Sequence, residues 1–224
     1  MIECTQHPLE MKFSIIVPHY DKAISDEVFS RGMGCLLGQT CNDFEVFVYH
    51  DGPISRPLLM PEDDRFNMRI TTQRANDWGH TNRNKGMSEA KGEYILHFNP
   101  DNILYSFALQ KIIDEAGKSY RHISPGLAPS NDIIVFPIVM RGMQTNGHIL
   151  WRDTTALPQN AMIFTGYPAV KNNIDAMQLI MKRSLWASYG GWYDLREDSD
   201  GNMYPRFVME NKARYCPEIL GEHW

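Results

Sequence analysis

Three short polar segments contain side chains that could bind a phosphate-bearing ligand together with a cation. They are Tyr20-Asp21, His50-Asp51 and Asn99-Pro100-Asp101, and each follows an apolar run. In the third segment Asn99 and Asp101 offer oxygen atoms, and the ring of Pro100 fixes one backbone angle between them. Oxygen ligands suit a hard cation such as Mg²⁺, which proteins usually share between a carboxylate and a phosphate. One such segment is an ordinary turn, whereas three in succession predict a cleft.

The elements that position these segments are predicted by the apolar runs before them. Compact runs at 12–18, 44–49 and 94–98 predict buried strands. Apolar residues at helical spacing from Val28 to Leu37 predict a helix between the first two strands. Strand, helix and strand at this spacing form a βαβ unit with a right-handed crossover. We therefore expect the polar segments at the carboxyl ends of the strands, where open α/β sheets bind ligands.

The second half of the chain has a mixed pattern. Strands are predicted at 132–140, 147–152 and 176–181, and helices at 105–120, 182–189 and 203–212. A further strand at 68–72 and a short helix ending at Ala90 complete the first half. We predict an α/β fold with a central, mostly parallel sheet. The chain is expected to form a single domain over residues 1–224, with a first half at about 12–102 and a second at about 103–224.

Composition and charge exclude several functional classes. The 224 residues carry a net charge of −5 and contain no basic block, which argues against binding to nucleic acid. The longest apolar run, 133–140, is interrupted by Pro137 and is too short to span a bilayer. The four cysteines lack the spacing of zinc or redox motifs, and the N-terminus lacks a signal-peptide core. We expect a cytoplasmic protein with reduced thiols and no transmembrane segment.

Ordered pieces of the sequence resemble the family 2 glycosyltransferases, which have the GT-A fold. They are SIIVPHY at 14–20, LLGQT at 36–40, DFEV at 43–46, Asp51-Gly52, NRNKG at 82–86, AKGEYI at 90–95, NPDN at 99–102, GGWYD at 190–194, Glu197-Asp198 and His223. The resemblance covers most of 12–102 and 183–224. It implies transfer of a sugar, with inversion, from a nucleotide-sugar to a saccharide hydroxyl, and a UDP-sugar is the expected donor. The last forty residues also look like compact domains encoded by phages and large algal viruses.

The same resemblance implies which residues bind the nucleotide. They are Pro18, Tyr20, Asp51, Arg83 and Asn99. Tyr20 would stack on the base, and Asp51 would accept hydrogen bonds from the base or the ribose. Arg83 would reach the base, ribose or phosphates with its planar fork of donors.

The resemblance also implies a Mn²⁺ or Mg²⁺ ion that bridges the diphosphate of the donor. Asp101 matches the last carboxylate of the family's Asp-x-Asp motif, and His223 matches the C-terminal histidine that often completes the metal shell. Asn99 departs from the motif, because it replaces the first carboxylate and removes one negative charge. The metal would neutralise charge that develops on the departing diphosphate.

Asp198 falls on the catalytic carboxylate of the family, with Glu197 as the substitute if the register differs. A base there would take the proton from the attacking acceptor hydroxyl, and a like-charged neighbour such as Asp200 would raise its pKa. Capping of the next helix by Asp198 or Ser199 is the structural alternative. Three residues are expected at the sugar: Gly190, Gly191 and Trp192. The acceptor side is expected around residues 151–175.

Other functions remain open at this point. A catalytically idle nucleotide-sugar binder is favoured by Asn99, and a nucleotidyltransferase is disfavoured because the first strand lacks a glycine-rich phosphate loop. Histidines at positions 19, 50, 80 and 97 do not have the spacing of a known zinc site. Structural roles are expected for them.

Overall fold

The computed structural model describes residues 11–118, 128–141, 161–171 and 173–224. The strands of this part are β1 (Phe13–His19), β2 (Phe44–His50), β3 (Phe66–Ile70), β4 (Tyr94–His97), β5 (Ile103–Leu104), β6 (Ile133–Val135), β7 (Ile138–Arg141), β8 (Ala161–Phe164), β9 (Leu179–Lys182), β10 (Arg214–Tyr215) and β11 (Gly221–His223). The helices are α1 (Asp26–Leu37), α2 (His80–Glu89), α3 (Ala108–Gly117), α4 (Arg183–Ser188) and α5 (Ser199–Asn211), with a 3₁₀ turn at Ala176–Gln178.

The main sheet has the strand order β10-β6-β9-β4-β1-β2-β3. β1 pairs in parallel with β2 and β4, and β2 pairs in parallel with β3, whereas β9 runs antiparallel to β4 and β6. β1 and β2 are buried along their whole length, as expected for parallel strands covered on both faces. The predicted α/β class is confirmed. Because β6, β9 and β10 come from the second half, both halves of the chain contribute strands to this sheet.

Helix α1 determines where the polar turn after β4 lies. Ser25 caps the helix, and Phe29 and Met33 pack into the core beside β1. Gly32 lies against the turn itself, since a Cβ atom there would be 2.0 Å from the carbonyl oxygen of Pro100. The helix backbone therefore contacts the turn directly, with no room for a side chain between them.

A smaller sheet of the second half has the order β5-β11-β7-β8. β11 pairs antiparallel with β5 and in parallel with β7. Because β5 follows the polar turn after β4 by one residue, this pairing brings the end of the chain to the same side of the molecule. His223 lies on β11 and is thereby placed near Asp101.

Two predicted strands of the second half differ from the structure. The predicted strand at 132–140 is split at Pro137, and β6 and β7 join different sheets. Proline has no N–H to donate, so the ladder is interrupted there. The predicted strand at 176–181 begins instead as a 3₁₀ turn, because the side chain of Asp175 accepts a hydrogen bond from the backbone of Met177 (3.0 Å).

Other predictions fall wholly or partly on residues outside the described ranges. These are the strand at 147–152, the end of the helix at 105–120 and the first part of the expected acceptor region at 151–175. In the part of the chain that the structure does describe, none of the helices has the length and apolarity needed to cross a membrane.

Candidate functional site

A cleft of about 420 Å³ opens at the carboxyl ends of β1, β2 and β4. Five residues predicted from the sequence line it together: Pro18, Tyr20, Asp51, Asn99 and Asp101. The parallel pairing explains this meeting, because the last residues of β1 and β2 lie side by side in register and β4 flanks β1 on the other side. The three polar segments thus form one site.

Asp51 organises the loop that forms one wall of the cleft. Its carboxylate accepts hydrogen bonds from the backbone N–H groups of Ala75 (2.8 Å) and Asn76 (3.3 Å), and lies 3.5 Å from the guanidinium of Arg74. The amide of Asn82 also donates to it at 3.4 Å. Only one of these contacts is short, so a ligand N–H or hydroxyl would compete with the longer ones for the carboxylate.

The loop that Asp51 holds presents a tryptophan to the cleft. Trp78 lines the cleft and is 63% exposed, and its backbone has a φ of 58°. A left-handed backbone is unfavourable for a residue of this size, and such strain is concentrated at functional sites. Sequence reasoning did not identify Trp78, although a large aromatic residue beside Gly79 in a polar turn was the available signal.

Arg74 covers the tyrosine that was expected to stack on a base. The guanidinium carbon of Arg74 lies 3.7 Å from the centre of the Tyr20 ring, which is a cation–π contact. The Arg74 side chain is 40% exposed, so a planar ligand can replace it on the ring or extend the stack. No pattern in the sequence singled out Arg74.

Arg83 lies beneath the cleft and does not line it. It is 3% exposed and donates hydrogen bonds to the carbonyl oxygen of Trp78 (2.9 Å) and to Oδ1 of Asn99 (2.7 Å). Burial lowers the pKa of Arg83, and within the described residues the side chain has no ion pair. The immediate role of Arg83 in this structure is therefore to orient Asn99.

The two predicted metal ligands lie close enough to interact electrostatically. Burial raises the pKa of Asp101, and His223 opposes that shift. Oδ1 of Asp101 is buried and has no hydrogen-bond partner, and Nδ1 of His223 lies 3.1 Å from Oδ2 of Asp175. Burial by itself would lower the pKa of His223, but the carboxylate of Asp175 raises it.

These donors fit a divalent cation that takes its remaining ligands from a phosphate group. Asp101 supplies an unengaged carboxylate oxygen and His223 a ring nitrogen, whereas no group of three or more His, Cys, Asp or Glu side chains converges on one point in the described ranges. Mg²⁺ is commonly held in this way, by one or two carboxylates and the substrate phosphates. The histidines at 19, 50, 80 and 97 likewise do not form such a group.

Asp198 does not face the cleft. It is exposed, pairs with Lys171 and accepts a hydrogen bond from Asn202 (3.2 Å). The hydrogen bond from Lys171 lowers the pKa of Asp198, which makes it a weaker base. Glu197 is also exposed. Neither predicted base is among the residues that line the cleft.

Asp200 has the environment that was expected of Asp198. It is partly buried, and burial together with the nearby carboxylate of Asp175 raises the pKa of Asp200 from 3.8 to about 6. Arg83 also interacts with it. Asp198 precedes the first helical residue of α5 and is exposed, whereas Asp200 in the first turn is partly buried near Asp175.

The glycine turn before α5 is docked onto α2. Gly190 and Gly191 have φ values of 81° and 79°, and Asn84 binds both the N–H (2.8 Å) and the carbonyl (2.9 Å) of Trp192. The indole of Trp192 is 1% exposed and stacks on His80 at 5.1 Å. The prediction that this indole covers a sugar is wrong for this structure, because the ring is part of the core.

The family of the chain follows from its match to known proteins. A family model described as glycosyl transferase family 2 matches residues 14–188. The chain belongs to this family. A curated relative is the GalNAc(5)-diNAcBac-PP-undecaprenol beta-1,3-glucosyltransferase of Campylobacter jejuni, which is 25% identical over 117 residues. That alignment covers 50% of this chain and 37% of the relative. The family predicted from the sequence pieces is confirmed.

Solved structures of glycosyltransferases share the fold. S. aureus TarS 1-349 in complex with UDP matches with a TM-score of 0.56 and 15% identity, over 95% of this chain and 60% of that one. The mannosyltransferase PcManGT from Pyrobaculum calidifontis, in complex with GDP-Man and Mn²⁺, matches with a TM-score of 0.59 and 12% identity, over 95% of this chain and 56% of that one. The predicted GT-A fold is confirmed, and the chain spans about 60% or less of these relatives.

Proposed function

We propose that this family 2 chain transfers a sugar, with inversion, from a nucleotide-sugar to a hydroxyl of a saccharide, with a UDP-sugar as the favoured donor. The observation that carries the proposal is the single cleft formed by Tyr20, Asp51, Asn99 and Asp101 at the carboxyl ends of parallel strands. The similar structures of TarS and PcManGT contain UDP and GDP-Man, respectively. They support a nucleoside diphosphate in this cleft.

The nucleoside would bind between the two aromatic walls of the cleft. Tyr20 and Trp78 both line it, and Arg74 can move from the Tyr20 ring towards a phosphate or remain as the outer layer of a stack. Asp51 would accept a hydrogen bond from the base or ribose in place of its longer protein contacts. Pro18 forms the floor beside Gly79.

Asp101 and His223 would hold Mn²⁺ or Mg²⁺ against the diphosphate. When bound, the ion would neutralise negative charge on the leaving diphosphate. Asn99, oriented by Arg83, lines the same end of the cleft and can donate a hydrogen bond through its amide nitrogen. The buried charge of Arg83 also makes this end of the cleft more favourable for an anion.

We propose Asp200 as the general base. Its carboxylate would accept the proton of the acceptor hydroxyl while the hydroxyl oxygen forms a bond to the anomeric carbon. The bond from that carbon to the diphosphate oxygen breaks, and its electron pair leaves with the nucleoside diphosphate. A carboxylate with a pKa of about 6 remains ionised at pH 7 and is a better base than an ordinary aspartate. Asp198 and Glu197, the bases expected from the sequence, are the alternatives.

The acceptor would approach from the segment that precedes Asp175. Within its described part, Tyr167 is 63% exposed and Val170 is 37% exposed, and an exposed aromatic ring is a suitable surface for a saccharide. Lys171 of this segment reaches Asp198 at the start of α5. We also keep the expected cytoplasmic location, to which the free thiols of Cys35, Cys41 and Cys216 are suited.

An idle nucleotide-sugar binder is the second candidate, and Asn99 is the observation that favours it. Release of nucleoside diphosphate from a panel of nucleotide-sugars, with Mn²⁺ and with saccharide acceptors, separates the two. Wild type should turn over at least one donor, and Asp200→Asn should be slower by about 100-fold or more. Asp198→Asn is the matched control and should stay close to wild type. If wild type releases no more diphosphate than buffer with every donor, transfer is refuted. Equal rates for wild type and Asp200→Asn would refute the role of Asp200 as the general base.

A further inference from the structure

Asp175 joins the last strand of the protein to the turn that begins β9. One carboxylate oxygen, Oδ2, lies 3.1 Å from Nδ1 of His223 on β11. The other oxygen, Oδ1, accepts a hydrogen bond from the backbone N–H of Met177 at 3.0 Å. The backbone N–H of Asp175 is bound in turn by the side chain of Gln178 at 2.9 Å, which completes a capping box. Both oxygens of the carboxylate therefore have fixed and different partners.

This arrangement defines which nitrogen of His223 is available to a ligand. An ionised carboxylate only accepts hydrogen bonds, so Nδ1 of His223 must carry the proton that lies between the two groups. In a neutral imidazole the lone pair is then on Nε2. The Asp175 side chain is 13% exposed and the His223 side chain 27%, so the pair is shielded while the ring keeps one accessible edge. Asp101, the other predicted ligand, interacts electrostatically with His223 and has a carboxylate oxygen without a hydrogen-bond partner.

We propose that Asp175 is a positioning residue for a divalent cation, which fixes the tautomer and the ring orientation of His223 so that Nε2 faces the ion. Carboxylates that hold metal-binding histidines in this way also make the imidazole a stronger ligand. Asp175 thereby contributes a negative charge near the ion, where Asn99 lacks one. This inference rests on the proposed function, in which Asp101 and His223 bind the ion beside a nucleoside diphosphate.

Replacing Asp175 with asparagine tests the inference. The amide oxygen can still accept the hydrogen bond from Met177, but the group that faces His223 becomes a donor instead of an acceptor. Asparagine is as good a cap as aspartate, so its oxygen stays on the N–H of Met177. Its NH₂ group then faces Nδ1 of His223 and donates to it. His223 must accept at Nδ1 and carry its proton on Nε2, which leaves no lone pair for a cation.

The measurement is the affinity for UDP with and without Mn²⁺, by titration calorimetry. In wild type Mn²⁺ should strengthen UDP binding, and Asp175→Asn should reduce that gain by about 10-fold or more. His223→Ala should reduce it similarly, and the double variant should show no further loss. Asp132→Asn is the control, since Asp132 is an exposed carboxylate paired with Lys182 on the main sheet. It should keep the wild-type gain.

A spectroscopic readout does not depend on any variant being functional. Nitrogen-15 spectra of the metal-free protein should show His223 as the Nδ1–H tautomer in wild type and as the Nε2–H tautomer in Asp175→Asn. If His223 of the wild-type protein carries its proton on Nε2, the inference is overturned, even if Asp175→Asn fails to fold.

The outcomes separate this inference from the proposed function. If Asp175→Asn keeps the full gain from Mn²⁺ while His223→Ala loses it, the role of Asp175 is refuted and the metal site stands. If His223→Ala also keeps the gain, the inference and the metal role of His223 both fail. In that case turnover of nucleotide-sugars still decides whether the chain is a glycosyltransferase.

Discussion

Replacing Asp200 with asparagine should stabilise the protein at pH 8 while removing the proposed base. The pKa of Asp200 is raised from 3.8 to about 6, because the carboxylate is partly buried and lies near Asp175. A difference of about 2 pH units corresponds to about 3 kcal/mol of destabilisation when the group is ionised in the folded protein. The amide can still accept the hydrogen bond from the N–H of Gly201, which is 2.8 Å long.

The direction of the effect with pH follows from linkage. A carboxyl whose folded pKa is above its unfolded pKa binds protons more tightly in the folded state. The cost is therefore absent below about pH 4, grows between about 4 and 6, and is complete above about 6. The stability that Asp200→Asn gains over wild type should therefore be absent below about pH 4 and complete above about pH 6.

Thermal unfolding of wild type and Asp200→Asn at pH 8 and pH 4 measures this difference. For a chain of this size, about 3 kcal/mol raises the unfolding midpoint by up to about 10 °C. The gain should shrink towards zero at pH 4. Asp198→Asn is the matched control and should not stabilise, because Asp198 is exposed and paired with Lys171. Equal unfolding midpoints for wild type and Asp200→Asn at pH 8 would show that the pKa of Asp200 is not raised. The assignment of Asp200 as general base would then lose its support.

Three further predictions concern turnover, nucleotide binding and the turn after β4. Below about pH 6, kcat/KM should fall about tenfold per pH unit, because Asp200 must be ionised to accept a proton; a flat profile to pH 5 would contradict this. Trp78→Ala should weaken UDP binding about tenfold, and UDP should quench the fluorescence of wild type but much less that of Trp78→Phe. Gly32→Ala should weaken Mn²⁺-dependent UDP binding, because its Cβ would lie 2.0 Å from the carbonyl oxygen of Pro100. Gly34→Ala is the control, since a Cβ there would have nothing within 4 Å. It should bind UDP normally and gain up to about 1 kcal/mol of stability.

The sheet and the nucleotide cleft could be predicted because they depend on local signals. The runs that form β1, β2 and β4 are apolar on both faces and end in polar turns, so their order along the chain determines the edge at which Tyr20, Asp51 and Asp101 meet. Pro137 also carried a local signal, and its effect on the strand at 132–140 is the one that a residue without an N–H must have.

The catalytic side could not be predicted in the same way, because it depends on contacts between distant parts of the chain. Asp200 is partly buried and Asp198 is exposed, and the buried hydroxyl of Ser199 between them accepts a hydrogen bond from the indole of Trp192 at 2.8 Å. Asp175 acquires its partner from a strand 48 residues later in the sequence. Neither packing arrangement leaves a periodic or compositional trace.

The most direct test of the central claim is a crystal structure of the protein with UDP and Mn²⁺. We expect the uracil ring between Tyr20 and Trp78, the ion on Asp101 and Nε2 of His223, and the diphosphate pointing towards Asp200. A nucleotide bound outside this cleft, or a diphosphate that points away from Asp101 and Asp200, would contradict it.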